Sequence, residues 1–551
     1  MSKEHVIGGH IYGKDLNEIR FVFDSLVGED PTPIELGEIL VIQDRASGEK
    51  YLIRVTNIGY GQSTEWSKEV ARGHNRFRNQ AEFQDEHEDP FNMYQMDMQD
   101  QLYLEATCEL LGYINREGTF LTPKRLPSYF SYVRKLKTED FDSGDEEKSL
   151  KKKLGDIPFG RLRSGSEVLD IGAGLFKELL PKHIGVFAQT GGGKSNTMQV
   201  LIGNIMELKG EAGMLLFEPH GEYIQNLKKH PLSDQLIMYS KDEKNGAKKL
   251  HIPYTEITVD ALMNLREQMN WSEPQDRFMR EAESVLGKDW FRVVLDTPFD
   301  QEEAHEQGIF VPQTLDEIFR IKKGNPLENT IKAVKSKLQS IKRASFLTTN
   351  ANQNDVSNIM AKLDEGKVVL IDMSSLSGLH EILLSSILSA ELLKRRKKAY
   401  SNNPETFKEL PPVSIVLEEA QRVLGRTTSQ ASVFAQVCNE GRKFGVGLIA
   451  ITQQPKLMSE VLISQFNTLV ILSISDSKDF DILSSISKKP IDKLKTEIRS
   501  LMPGEALISN PLSPFAVPIK VHKWEDYLDE ANKKHKKKKS PLGKSSSFGI
   551  I

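Results

Sequence analysis

The first sixty residues alternate short apolar runs with polar turns. Ile19–Phe23, Ile39–Gln43 and Tyr51–Asn57 are β-branched or aromatic, and Gly28–Pro33 and Ser47–Gly48 divide them, the punctuation expected of short strands. The spacing predicts a small β-barrel that Tyr103–Ile114 and Gly118–Thr122 return to and close, with the polar stretch Thr64–Gln101 inserted as helix or loop. Thr138–Lys153 is acidic, then basic, almost without apolar residues, and reads as a linker. Beyond it strands and amphipathic helices alternate. His183–Ala188 reads as a strand and Asn196–Gly210 as a helix, with Met198, Leu201, Ile202, Ile205 and Leu208 on one face. Further strands are expected at Ala212–Phe217, Lys367–Asp372, Val413–Leu417, Val446–Ile451 and Thr468–Ser473. Residues 258–350 carry helical periodicity, with one strand-like run at Trp290–Leu295. Such alternation predicts a largely parallel sheet covered on both faces.

Composition narrows the class. At 551 residues the chain exceeds one ordinary core. A net charge of −4 excludes a uniformly basic coat, though not a basic stripe inside a ring or groove. Two cysteines, Cys108 and Cys438, are too few for a disulfide framework or a zinc site. The opening MSKEHVIGGHIYGKD has no apolar signal segment, and no run reaches the ~18 apolar residues of a membrane helix. A cytoplasmic protein without membrane attachment is expected. The C-terminal end concentrates lysine at Lys533, Lys534 and Lys536–Lys539. Such a run is either solvated disorder or a tether for DNA or a neighbouring subunit.

The chemistry begins at Ala188–Ser195, AQTGGGKS, placed between a strand and a helix as a phosphate loop requires. Gly191, Gly192 and Gly193 let the backbone curl so that its N–H groups face a β-phosphate. Lys194 reaches the β- and γ-phosphates, Ser195 takes a place on Mg²⁺, and Asn196 opens the helix beside them. Mg·ATP is therefore the expected ligand. In PPVSIVLEEAQRVLG, the buried strand Val413–Leu417 ends in Glu418 and Glu419. Alone, two acids after a strand would equally mark a solvated helix start. Downstream of a phosphate loop, Glu418 is assigned to the Mg²⁺ shell and Glu419 to activation of the attacking water. The strand Val446–Ile451 then ends in Thr452, Gln453 and Gln454, which makes Gln453 a candidate sensor of the γ-phosphate. Arg442 and Lys443 lie on the loop before that strand. A solvated basic turn is the simpler reading there, but a ring ATPase needs a cation from its neighbour and this loop can supply one.

FAQTGGGKSNT, FEPHGEY (Phe217–Tyr223), VLEEAQ, EGRKFGVGLIAITQQP, SQFNTLVILSI and MPGEALIS together closely resemble the HerA-like ATPases of the HerA/FtsK superfamily of ring translocases. The strings LGEILVI and YLIRVTNI look like the small barrel before the motor in that family, so the resemblance runs from about residue 5 to 525. It implies an α/β protein with a RecA-like P-loop NTPase core, an N-terminal small β-barrel and an all-α insertion. The expected segments are a barrel over 1–137, a linker over 138–153, the core in two parts over 154–257 and 351–525, the insertion over 258–350, and a basic tail over 526–551. It also implies a homohexamer that hydrolyses ATP, threads double-stranded DNA through its channel and works with a partner nuclease or sirtuin-like effector, in antiphage defence or DNA end processing. The alternative it leaves is a nucleotide-gated hexameric scaffold that assembles and regulates such an effector. A membrane-anchored pump of the same superfamily fits less well, for want of a membrane segment. Lys194, Ser195, Glu418, Glu419, Gln453 and Arg442 fall on the family's phosphate, metal, base, sensor and neighbour-finger positions. Glu218 stands where the family commonly has Asp. Lys182 stands where an Arg is common, and it lacks the bidentate fork, which puts a same-subunit arginine role in doubt. His220 and Glu222 fall near the nucleotide or stabilise a turn.

Overall fold

The computed structural model describes residues 6–16, 18–23, 34–60, 104–129, 131–141, 149–243, 246–322, 324–426, 428 and 432–539. Thr64–Gln101, Gly28–Pro33 and the last twelve residues, named above, lie outside them. The chain forms two compact units, one comprising residues up to Leu175 together with Ser487–Val521, the other Phe176–Ile486 with the segment from His522 onward.

The first unit opens with an antiparallel sheet ordered Glu18–Phe23, Val6–Asp15, Tyr132–Lys135, Ile39–Gln43, Lys50–Tyr60, Leu104–Ile114, Phe120–Leu121. Glu18–Phe23 also pairs with Leu104–Ile114. Period-two alternation sends Ile19 and Phe21, Leu40 and Ile42, Tyr51, Ile53 and Val55, and Ala106 and Cys108 into one core. Four more antiparallel strands, Ile157–Ser164, Glu167–Leu175, Glu505–Ser509 and Val517–Val521, belong to this unit rather than to the motor segments expected for them. A buried carboxylate, Glu497, receives Arg54 and Arg163, each at 2.6 Å, which anchors the late segment among the early strands. The expected linker is also corrected at both ends. Thr138–Phe141 and Leu150–Leu154 are short 3-10 helices whose Phe141, Leu150 and Leu154 are buried. Buried Asp140 takes bonds from Arg134 and Lys50, so the charge there is paired rather than solvated.

The second unit is built on parallel strands in the order Lys248–Lys249, Leu236–Ser240, Val368–Asp372, Gly213–Glu218, Val413–Leu417, Val446–Thr452, Ile184–Phe187, Thr468–Ile471. The central strands are buried at every position, as a parallel sheet covered on both faces requires. Their register brings Phe187 beside Thr452, and Leu417 beside Phe217 and Ala450. The segments that follow therefore leave one edge together, the edge where open α/β sheets take their ligands. Residues 259–342 form helices of which Glu273–Leu286 and Leu327–Lys342 are the longest. The two ends of this insertion are joined by a parallel pair, Ile252–Pro253 with Leu347–Thr348.

Two expectations are corrected here. Trp290–Asp296 is a helix, not a strand. Its bulky residues look β-like, yet Trp290, Phe291, Val294 and Leu295 recur at helical spacing and are the ones buried. The tail begins as a helix, Trp524–Lys539, because Trp524, Tyr527 and Ala531 form an apolar face beneath the lysines. Both cysteines are free and buried. Among the described residues no helix is long and apolar enough to cross a membrane.

Candidate active site

The strand Ile184–Phe187 runs into a loop whose Gly191 and Gly193 have φ of 80° and 90°, a region side chains disfavour. Gly193 is the N-cap of the helix Lys194–Glu207, so the helix starts with its unpaired N–H groups at the mouth of the loop. Gln189 ties the loop's base to the neighbouring strand end, its N–H on Ser473 O at 3.1 Å and its side-chain amide on Ser473 Oγ at 2.9 Å. The result is a curled run of donors closed by a lysine, at the positive end of a helix dipole.

Glu418 and Glu419 follow directly from buried Val413–Leu417 and diverge at once. Glu419 takes a left-handed conformation, φ 50° and ψ 47°, which turns the backbone sharply out of the sheet. Such strain in a non-glycine residue persists only where surrounding contacts hold it. Gln421 Nε2 donates to Glu419 Oε2 at 2.6 Å, and Thr452 Oγ1 in turn donates to Gln421 Oε1 at 2.7 Å. Lys194 Nζ lies 3.6 Å from Glu419 Oε1, and Gln453 Nε2 donates to the same oxygen at 3.4 Å. Thr190 Oγ1 donates to Gln453 Oε1 at 2.6 Å. Residues from three separate strand ends thus meet at one carboxylate.

Glu418 is set deeper. Burial raises its carboxyl above the ordinary range, while the phenol of Tyr223, which donates to Oε1, and the charges of Lys194 and His220 act in the other direction. Tyr223 is itself buried, and its backbone N–H donates to Glu218. Glu218 is fully buried; burial first, and the nearby charges of Glu418 and Asp372 next, push its carboxyl up to about 8. Its place at the end of Gly213–Glu218, paired in register with Asp372, sets three acids along one sheet edge. Glu222 accepts a bond from Ser195 Oγ at 2.8 Å, while His220 is exposed.

Three candidates lie apart from this cluster. Asn196 was expected beside the phosphates, but its side chain is occupied elsewhere: Nδ2 donates to His522 O at 2.8 Å and Oδ1 accepts the Trp524 N–H at 2.8 Å. Arg442 is exposed on the 3-10 turn Gly441–Phe444; its carbonyl accepts the Gly445 N–H, while its guanidinium has no hydrogen bond or ion pair among the described residues. That turn precedes Val446–Thr452, so the seven-residue strand separates Arg442 from Gln453 by roughly 20 Å. Arg442 cannot reach its own chain's phosphate loop. Lys182 is likewise at the far end of its strand and pairs with Glu178 at 2.5 Å. Tyr223, Gln421 and Thr190 were not singled out from sequence. Tyr223 lies inside the FEPHGEY string, Thr190 inside AQTGGGKS and Gln421 inside VLEEAQ, but only the side-chain contacts mark them.

A phosphate loop facing an acidic strand end on a parallel sheet defines a P-loop ATPase. The family model for the central domain of helicase HerA matches residues 157–392. A probable helicase of Methanocaldococcus jannaschii, MJECL08, is 24% identical over 552 residues, covering 95% of this chain and 96% of its own length. The DNA double-strand break repair helicase HerA of Sulfurisphaera tokodaii is 27% identical over 436 residues, 78% of this chain and 79% of its own. Among solved structures, the plasmid coupling protein TrwB in complex with ADP and Mg²⁺ is similar with a TM-score of 0.44 and 15% identity, over 68% of this chain and 92% of that one. Residues 157–392 thus match the central domain of helicase HerA, the chain is similar to HerA helicases over most of its length, and it is an ATPase.

Proposed function

We propose that this chain is the subunit of a homohexameric, Mg·ATP-driven translocase of double-stranded DNA. The observation that carries the reading is the convergence of Lys194, Gln453 and Glu419 at one carboxylate oxygen. A base, a mobile cation and a polar sensor within bond distance of each other are what in-line attack on a γ-phosphate needs. The donor set fits Mg·ATP. Gly191 and Gly193 hold the left-handed angles of an anion-binding loop, and Ser195 Oγ lies beside the Glu222 carboxylate. Ser195 and Glu418 would hold the metal, which when bound supplies positive charge to the phosphate oxygens. Gly191, Gly192, Gly193 and Lys194 cradle the phosphates, Glu419 takes the proton of the attacking water, and Gln453 orients it.

The distance of Arg442 from its own loop supports the ring. An exposed guanidinium at the opposite end of the strand is free to enter a site formed with a second copy, and stabilising charge on the γ-phosphoryl group is its proposed task. In the first unit, the pairing of Glu18–Phe23 with strands on both sides supports a closed small barrel. DNA as the track is supported by the similarity to relatives named as DNA double-strand break repair helicases. They favour DNA end processing over antiphage defence, with cutting supplied by a partner nuclease; a sirtuin-like effector is the other kind of partner proposed. The test is phosphate release by the purified protein with and without duplex DNA, across salt, with assembly followed by native mass spectrometry. Duplex stimulation that weakens as salt rises is expected. A hexamer that hydrolyses ATP with no response to DNA at any salt would replace the motor with the scaffold.

A further inference from the structure

The helix that carries Lys194 and Ser195 in its first turn has a second helix fastened along it. Asn196 spends both ends of its amide on the segment entering Trp524–Lys539, donating to His522 O and accepting the Trp524 N–H, each at 2.8 Å. The Trp524 N–H belongs to the first helical residue, a donor with no partner inside its own helix. Asn196 therefore caps a helix more than three hundred residues away in sequence. Two turns on, Gly203 meets Tyr527 so closely that a Cβ there would lie 2.6 Å from the ring. Buried His230 stacks on that ring, with centroids 5.9 Å apart and planes at 17°. At the far end Glu207 accepts Lys534 at 2.9 Å and His535 at 2.6 Å. Burial alone would raise the Glu207 carboxyl, but its bonds from Lys534 and His535 hold it below the usual range. Positions 196, 203 and 207 share one face of the helix, so the contact runs its whole length.

We propose that Asn196 is a positioning residue and that the docked C-terminal helix holds the phosphate loop in its nucleotide-competent arrangement. Ser195 precedes Asn196 directly, and Lys194 lies one residue further back. A lateral shift of the first turn moves both, together with the N–H groups that face the phosphates. With the clamp intact the arrangement exists before ATP arrives. Without it, binding must draw on whatever fraction of the chain still holds that arrangement, and apparent affinity falls by that fraction. Saturating ATP restores the arrangement, so the chemical step is preserved. The inference rests on the ATPase assignment and adds to it a residue and an element that act through the loop rather than on the phosphates.

The test uses the full chain. Asn196→Ala removes both bonds. Gly203→Ala wedges Tyr527 away about 12 Å along the helix from Ser195, and Glu207→Gln weakens the far end. All three should raise KM for ATP, by about tenfold for Asn196→Ala and less for the others, with kcat within about twofold of wild type. Trp524 should become more accessible to iodide quenching, since it is buried only while the helix is docked. Melting temperature is followed in parallel. An Asn196→Ala chain that melts earlier with KM unchanged would reduce the contact to packing and overturn the proposal. It is overturned equally if Asn196→Ala raises KM while Gly203→Ala and Glu207→Gln release the helix and leave KM alone, since Asn196 would then act on the nucleotide itself. A wild-type chain that neither binds a fluorescent ATP analogue nor hydrolyses ATP defeats the ATPase assignment first, and the control reads that outcome separately.

Discussion

Lys194 is paired with the carboxylate assigned to activate water. ATP has to bring its γ-phosphate to that lysine against the charge of Glu419, so removing the charge alone should tighten binding while it stops chemistry. Glu419→Gln does this with little change of shape, and the Gln421 amide, 2.6 Å from Glu419 Oε2, retains an acceptor. At 3.6 Å the pair attracts by about 1 kcal/mol in a water-like dielectric and by several at an effective dielectric of 20. The Lys194 and Glu419 side chains are 19% and 25% exposed, which places the pair toward the screened end. A net value of about 0.5–1 kcal/mol, in the range of partly solvated pairs, corresponds to a roughly two- to fivefold gain in ATP affinity. Loss of the base should lower hydrolysis by about 10²–10⁴. The assay is a titration with a fluorescent ATP analogue at several salt concentrations, beside single-turnover phosphate release. The affinity gain should shrink as salt rises, because the interaction removed is electrostatic. Weaker binding by the variant at low salt, or turnover at the wild-type rate, would refute the reasoning and move the base role to Glu418.

Replacing Lys194 with Ala leaves the loop amides but removes their mobile cation; ATP affinity should fall and hydrolysis should drop to background in a coupled phosphate assay. Arg442→Ala should bind ATP normally and lose about 10³-fold or more in hydrolysis, and mixed rings with Lys194→Ala subunits, verified by differential tagging, should recover part of the rate. An Arg442→Ala protein that hydrolyses normally by itself ends the finger assignment. His183 supplies a pH prediction: burial lowers its imidazole from the usual 6.5 to about 4, and Nδ1 accepts the Leu448 N–H at 3.0 Å. The unfolded chain takes up the proton first, so this stability is complete above pH 6.5 and is lost as pH falls toward 4, by about 3 kcal/mol. His183→Gln should flatten the melting temperature across that window, and an unchanged slope would show that other groups carry it.

The motifs were legible because each is a local event. A strand, three glycines and a lysine shape a phosphate loop with little help from the rest of the chain, and a buried strand ending in two acids announces itself by its apolar run. Short β-branched and aromatic runs likewise marked Ile19–Phe23, Ile39–Gln43 and Tyr51–Asn57 as strands, while which of their residues share one core was left to the fold. Trp290–Asp296 misled for the same local reason: its bulky residues suit a strand, and only their burial at helical spacing settles the matter. The Lys-rich end misled by composition, since its lysines hide the spacing of Trp524, Tyr527 and Ala531.

What sequence by itself determined was therefore the kind of chemistry and the residues able to perform it: the loop Ala188–Ser195, the pair Glu418 and Glu419, and the strand leading to Gln453. Tertiary structure alone decided how those residues are used. Tyr223 reaches Glu418 across 195 positions of sequence, and Trp524 reaches Asn196 across 328. It turned Asn196 from the phosphates to the C-terminal helix and set Arg442 a strand's length from its own loop. The physical reason is that hydrogen bonding and burial depend on distance in space, whereas periodicity and turn chemistry report only on neighbours along the chain.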